Sequence, residues 1–471
     1  MKSPRKKSPP LAVRLLLWML PLIFIALIAG FLIFHVWFNA YLESPAFRQL
    51  IGVLTSTQMK AAGEYQPFHF SGTAIYSDAF KARGSAKTFF SELEANQIRA
   101  EINLGGLWKK AWEIDEINVQ RLEAVLGHTD TAGASAQEPE AAGGAPKPAE
   151  ANPLFNWLPK KVDLRKIVIH DTNLKWGENS SQPGSVSGAM FTLIPDGDAW
   201  NIAGENGAVS QRGGPDLSID HMRLRYQRPS LFITEAQFRN NGGGTVDLSG
   251  EVDFESKLDV LAKLNKVPVT PFLREDWRAK LRGNLSGEVR TRGALPLQGA
   301  PAAEGSLSLA QGELEALPVL DQIAAFTRTQ SFRKLNLSRM SAKFTQARGR
   351  TTVTDFVAES QGLICVEGGF TVENSSIDGT FQVGVTPSSL QWLPGSQSKV
   401  FTVSRNGYLW TRVRLTGPVN SPKEDLSQRL VAAAGGAVIE TIQSTIQELP
   451  KGNLPDAPKK IIDTILSPLL K

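Results

Sequence analysis

Cysteine occurs once in these 471 residues, as Cys365. A single thiol excludes an internal disulfide and any cluster of thiolate metal ligands. It lies in the apolar run "GLICVEGGF", which predicts a buried, inert side chain rather than a nucleophile. Histidine is nearly as scarce. His35, His69, His128, His170 and His221 are scattered, with no pair at ligand spacing, so no metal site is expected. The motifs that carry catalytic mechanics are missing: G-x-S-x-G, H-E-x-x-H, the P-loop and the dinucleotide fingerprint. The glycine-rich "NNGGGTV" (Asn240–Val246) leads into alternating strand residues rather than a helix and reads as a turn. Asp196 and Asp198 in "IPDGDAW" also resemble a turn. Neither a catalytic site nor a cofactor is expected from this inventory.

A basic excess is lacking from most of the chain, although the formal net charge is +5 and the pI about 9.1. Lys2, Arg5, Lys6, Lys7 and Arg14 carry all of the excess; without those five, 46 basic residues face 46 acidic ones. A neutral remainder argues against a phosphate-binding surface, so no nucleic-acid partner is expected.

Charge then disappears altogether over "LLLWMLPLIFIALIAGFLIF" (Leu15–Phe34). Twenty helical residues span roughly 30 Å, the hydrocarbon thickness of a bilayer. Trp18 near one end and His35, Trp37 and Tyr41 near the other suit the interfaces. A cleaved signal peptide would have a shorter apolar core and a small-residue cleavage site, which is not evident here. Residues 1–14 therefore read as a cytoplasmic basic tail and 15–38 as a single-pass anchor. The bulk of the chain is placed across the membrane, in the periplasm of a Gram-negative-type bacterium.

Residues 39–128 read as a membrane-proximal helix followed by strands, with Phe47, Leu50, Ile51 and Leu54 at helical spacing in the helix. The Ala/Pro/Gly/Glu-rich stretch 129–153 has almost no large apolar residue and reads as a disordered linker or loop. From 154 to 425 strict alternation dominates. "TVDLSGEVDF" sets Val246, Leu248, Val252 and Phe254 opposite Thr245, Asp247, Ser249, Glu251 and Asp253. "IDGTFQVGV" repeats the pattern with Ile377, Phe381, Val383 and Val385, and "YLWTRVRLTG" with Leu409, Val413 and Leu415. Period-two patterning predicts sheets with one apolar and one wet face, most simply antiparallel. "LSGEV" occurs at Leu248–Val252 and again at Leu285–Val289, which suits an array of similar hairpins. One stretch interrupts the strands: "LPVLDQIAAFTRTQSF" (Leu317–Phe332) has Leu317, Leu320, Ile323 and Phe326 on one stripe, with Pro318 near its start. It predicts a short helix over 316–331. Residues 426–471 read as amphipathic helices, with Leu426, Leu430, Val431, Val438, Ile439, Ile442 and Ile446 in phase.

The segment from about Gly305 to Leu430 resembles the AsmA-like family of envelope proteins, relatives of TamB and of bridge-type lipid transporters. The resemblance rests on an ordered series of elements. The strand-and-helix run "GSLSLAQGELEALPVLDQIAAF" comes first. It is followed by "LNLSRMSAKFTQARGRTTVTDFVAESQGLICVEGGFTVENSSIDGTFQVGV" and the closing turn "LTGPVNSPK", here Gly417, Val419, Ser421, Pro422 and Lys423. It implies an inner-membrane anchor followed by an elongated, curled antiparallel β-sheet, an open groove with a few capping helices. It also implies a role in phospholipid handling or transport, or in outer-membrane biogenesis. The expected partners are phospholipid or another acyl-chain lipid, the inner membrane and other envelope proteins; no catalytic residue or cofactor comes with the family. On that reading Val246, Leu248, Val252, Phe254, Phe381, Val383 and Val385 line the groove. Leu317, Leu320, Ile323 and Phe326 face it from a capping helix. Alternation alone also fits an ordinary closed core, and a membrane-anchored scaffold without lipid transport is the rival function.

Overall fold

The computed structural model describes residues 36–85, 88, 90–127, 161–177, 183–273, 275–295, 301–315, 334–391, 395–419 and 422–434. Over the described residues the protein is mainly β, 68% strand and 13% helix. The basic tail, residues 15–35 of the anchor, the 129–153 stretch, the 316–331 helix and residues 435–471 lie outside the described residues. Among the described residues no helix is long and apolar enough to cross a membrane. Those residues fall into two compact units: one runs to Asn179 and includes Met190–Ile194, the other comprises Ser180–Ala189 and Pro195 onward.

The first unit starts with helical residues 36–42 and the helix Pro45–Met59. Ser44 caps that helix by accepting the Phe47 N–H at 3.3 Å, Pro45 pre-sets its first turn, and Lys60 ends it in a left-handed conformation. Seven strands follow: β1 (Ala62–Tyr65), β2 (Phe68–Ser71), β3 (Ala74–Arg83), β4 (Phe90–Asn103), β5 (Ala111–Leu126), β6 (Lys161–Leu164) and β7 (Ile167–Trp176). β1 and β2 both pair with β3, which pairs antiparallel with β4, as β4 does with β5. β6 and β7 then pair parallel to β5. This corrects the expectation of purely antiparallel pairing from residue 154 onward. A parallel neighbour needs a long return connection, and residues 128–160 connect the two. The apolar sides of these strands are closed over. Phe38, Leu42 and Phe47 bury against Phe68, Ile75, Ile102 and Trp112. Phe80, Phe90, Val119 and Ile169 form a second buried cluster.

The second unit continues with β8 (Gly184–Asp196), whose residues 190–194 group with the first unit, β9 (Ala199–Glu205) and β10 (Ala208–Gln211). β11 (Leu217–Gln227), β12 (Ser230–Asn240), β13 (Thr245–Asp253), β14 (Lys257–Pro268), β15 (Leu281–Ala294) and β16 (Ala302–Glu315) come next. Then come β17 (Lys334–Leu337), β18 (Arg339–Ala347), β19 (Arg350–Ser360), β20 (Ile364–Glu373) and β21 (Ser376–Val385). β22 (Val403–Arg405), β23 (Tyr408–Pro418) and β24 (Lys423–Glu424) complete it. From β11 to β16 each strand pairs antiparallel with the next, and β16 takes both β17 and β18. The meander goes on through β19, β20, β21 and β23.

Its last strand is closed against further pairing. β22 and β24 cover parts of β23, the Arg414 N–H donates to Asp425 Oδ1 at 2.9 Å, and Arg429 donates to the Arg412 carbonyl at 2.8 Å. The connection carrying residues 316–333 leaves from Glu315 and returns at Lys334, which stand opposite each other. The stretch expected as a helix thus connects two paired strands, β16 and β17.

Candidate functional site

β13 shows how the second unit sorts its side chains. Val246, Leu248, Gly250 and Val252 point to one side, with Asp247, Glu251 and Asp253 on the other. Hydrogen-bond register then extends the apolar side from strand to strand. Val246 stands between Phe238 and Leu264, and Val252 between Leu231 and Leu258. Leu248 belongs to a row that crosses ten strands: Ala236, Leu248, Ala262, Val289, Gly305, Phe344, Val353, Phe370, Gly379 and Leu415. Ala236, Gly379 and Leu415, at the two ends, are buried. Every member between them, on β13 to β20, is only half-buried. The neighbours above and below the row, among them Val246, Val252, Leu258, Val260, Leu264, Leu285 and Leu307, are half-buried too. With adjacent strands about 4.8 Å apart, this incompletely covered strip is roughly 29 Å long.

Two glycines explain how the backbones come so close beneath it. Gly250 and Gly287 hold the same place in the two "LSGEV" copies, with φ of +142° and +151°. A Cβ on Gly250 would stand 2.2 Å from the Asp259 carbonyl oxygen, and one on Gly287 2.0 Å from that of Ser306. Only glycine allows both the backbone conformation and the approach. Farther along, phenyl rings fill the space that glycines leave. Phe344 packs beside Gly305, and Phe381 lies 6.0 and 6.2 Å from the rings of Phe370 and Phe356.

Val267 and Leu309, which flank Leu285, are buried, and the cover is complete over β21 and β23. There Leu390, Val400, Phe401 and Ala433 are buried together, and Val383, Val385, Leu409, Leu426 and Leu430 pack against them. The helix Leu426–Ala434 and the short helix Ser396–Lys399 bring in most of that cover.

The opposite side of the same strands is laced with ion pairs. Arg290 grips Asp259 with two hydrogen bonds of 2.8 Å, and Arg292 reaches Glu304 at 2.8 Å. Lys263 pairs with Glu288 at 3.4 Å and Lys343 with Asp355 at 2.8 Å. These partners hold the Asp259 carboxyl below its ordinary range, chiefly through the Arg290 hydrogen bonds, and hold Lys343 above its own through Asp355. Arg225 does the same to Asp196, at the end of β8 just before the 197–198 turn. All are solvent-exposed pairs, and each contributes little to stability. They do keep water and charge on one side of the sheet.

The expected lining residues come out in four groups. Val246, Leu248 and Val252 share the half-buried strip. Phe381 joins its phenyl cluster, while Val383 and Val385 lie under the helical cover. Phe254 falls beyond the end of β13, in the turn before β14, and is 43% exposed. Leu317, Leu320, Ile323 and Phe326 lie outside the described residues. The strip's further members on β14, β15, β18, β19 and β20 were not singled out from sequence. Their signal was there in "KLDVLAKL", where Leu258, Val260, Ala262 and Leu264 alternate.

On the wet side Cys365 is buried with Tyr408 and Trp410, and burial pushes its thiol up to about 11. Arg405 stacks 4.3 Å over the Trp410 ring, and the Tyr408 hydroxyl donates to Glu359 at 3.0 Å. Among the described residues there is no group of three or more His, Cys, Asp or Glu that could hold a metal ion. No family model, curated protein or solved structure matches this chain.

Proposed function

We propose that this protein is a non-enzymatic, inner-membrane-anchored periplasmic protein that shelters the acyl chains of phospholipid, in the manner of the AsmA-like family it resembles. The observation that carries this reading is the half-buried apolar strip on β13 to β20, backed by ion pairs on the other side. A sheet with one apolar face ordinarily buries it against a second layer. A large apolar area left incompletely covered marks a place where something apolar binds. Exposing an acyl chain of about sixteen carbons to water costs on the order of 13 kcal/mol, at roughly 0.8 kcal/mol per CH₂. Aliphatic and phenyl side chains offer the non-directional contact that removes this cost without selecting a headgroup, and no chemical step is required. The roughly 29 Å strip is long enough to hold such a chain across the strands.

The test is purification from membranes followed by mass spectrometry of bound lipid, comparing the unaltered chain with Leu248→Asp. Phospholipid bound to the first and depleted from the second is the expected result. Lipid-free protein that instead retains an envelope protein would favour the scaffold. Equal lipid occupancy in both chains would remove the strip from the function.

A further inference from the structure

We propose that residues 435–449 of this chain occupy part of the apolar strip on β19 and β20 when no lipid is there, so that acyl chains and this segment compete for one surface. The inference rests on the acyl-chain reading above and adds a regulator to it. The helix Leu426–Ala434 already lies on the same side of the sheet, with Leu426, Leu430 and Ala433 in the cluster that holds Val383 and Val385. Val366, on β20, is paired with Val383 and only half-buried, so the incompletely covered strip begins one strand beyond that cover. The sequence after Ala434 starts with Gly435 and Gly436, residues suited to a sharp change of direction. It then carries Val438, Ile439, Ile442, Ile446 and Leu449 at helical spacing. Between them stand Glu440, Gln443, Ser444, Gln447 and Glu448. An apolar stripe with a polar back matches a strip whose own partner layer is incomplete. A neighbouring strand is about 4.8 Å away, and three or four extended residues reach two strands over.

Tethering makes such a contact effective even when it is weak. A segment joined directly to the edge of its site is present at an effective concentration in the millimolar range. A lipid must displace it, and the apparent affinity for lipid falls by the fraction of time the strip is occupied.

The test compares the full chain with a full chain carrying Ile442→Asp and Ile446→Asp, both residues outside the packed clusters described above. Binding of a fluorescent C16 fatty acid is measured for each. In parallel, a disulfide is sought between Val366→Cys and Ile439→Cys in a Cys365→Ala background, with and without excess fatty acid. The expected results are fatty-acid affinity raised on the order of tenfold in the double aspartate chain, and a disulfide that forms readily but is suppressed by fatty acid. Equal affinity in the two chains overturns the competition, whatever the disulfide shows, and leaves the acyl-chain reading standing. If neither chain binds fatty acid, the acyl-chain reading fails; a disulfide in that case makes the strip a purely intramolecular contact. If neither binding nor disulfide appears, both proposals fail.

Discussion

The two units use the same alternation of apolar and polar residues and finish it differently. On β4 and β5 Phe90, Ala95, Val119 and Ala124 are buried, Leu93, Ile98, Ile117 and Leu122 pack half-buried against the core they enter, and Trp112 is 2% exposed beneath Phe38 and Phe47. On β13 to β20 the row through Leu248 stays half-buried, although Val267 and Leu309 beyond it are buried, and helical cover comes where Leu390, Val400, Phe401 and the helix Leu426–Ala434 meet β21 and β23. Strand patterning sets which side of a sheet is apolar. What lies over that side depends on the elements the chain supplies, and here the first unit receives a helical layer while the strip receives a partial one.

The sharpest way to break this contrast is to place the same charge on both surfaces. Val119→Asp would bury a carboxylate among Phe80, Phe90 and Ile169 with no partner, a cost of several kcal/mol, enough to unfold the first unit. Leu248→Asp lies on the strip, where water still reaches it, and should leave circular dichroism and the thermal transition nearly unchanged while depleting bound lipid. A strip that unfolds as readily as the core would mean that Leu248 belongs to a closed interior. Truncation gives the next largest difference. Trp112→Ala is expected to cost about 3–5 kcal/mol, and Leu248→Ala about 1 kcal/mol or less, in urea titrations followed by circular dichroism. Similar values at the two positions would erase the distinction between core and strip.

Glycine offers a smaller and more local test. Gly287→Ala adds a Cβ that meets the Ser306 carbonyl at 2.0 Å and also strains the backbone at φ +151°. Gly213, in the turn after β10, has φ +77° and nothing within 4 Å of a Cβ. Its alanine variant should show the backbone strain alone, about 1 kcal/mol, and Gly287→Ala roughly 1–3 kcal/mol more. Equal losses at both sites would show that the close approach of β15 and β16 relaxes freely.

Much of this was legible in the residues. The helix Pro45–Met59 could be read from Phe47, Leu50 and Ile51, and β13, β21 and β23 from alternation, because both signals are local and repeat with a fixed period. The two "LSGEV" copies hinted at similar hairpins, and Gly250 and Gly287 supply the physical reason for the likeness. What could not be read was pairing across long separations. Nothing in "KVDLRKIVIHDTNLKW" announces that β6 and β7 lie parallel to β5. Nor could burial be read: Val252 and Val383 have the same local pattern, yet only Val383 receives a helical neighbour, from residues that follow it in the chain. Phe254 shows the limit from another side, since the alternation runs on through it while the strand has already ended at Asp253.

The smallest effect belongs to the wet side and tests whether its ion pairs do more than keep water there. Asp196, Glu235, Asp253 and Asp259 are all held below their ordinary pKa by hydrogen bonds and nearby cations. A carboxylate whose pKa is lower folded than unfolded stabilises the fold fully above its unfolded value, near 4. That contribution declines as the pH falls through the folded value. Lys257 and Lys343 are raised by Glu251 and Asp355, so their contribution holds through neutral pH and is lost only as the pH rises through their elevated values. The second unit should therefore show a flat thermal midpoint from pH 5 to 9 and a shallow fall below pH 4. Because every one of these groups is exposed, screening should shrink that fall further in high salt. Asp259→Asn, which removes the carboxylate between Arg290 and Arg292, should flatten the acid slope slightly without altering lipid occupancy. A change in bound lipid in that variant would mean that the two sides of the sheet are coupled, and that its wet side is more than a solvated back.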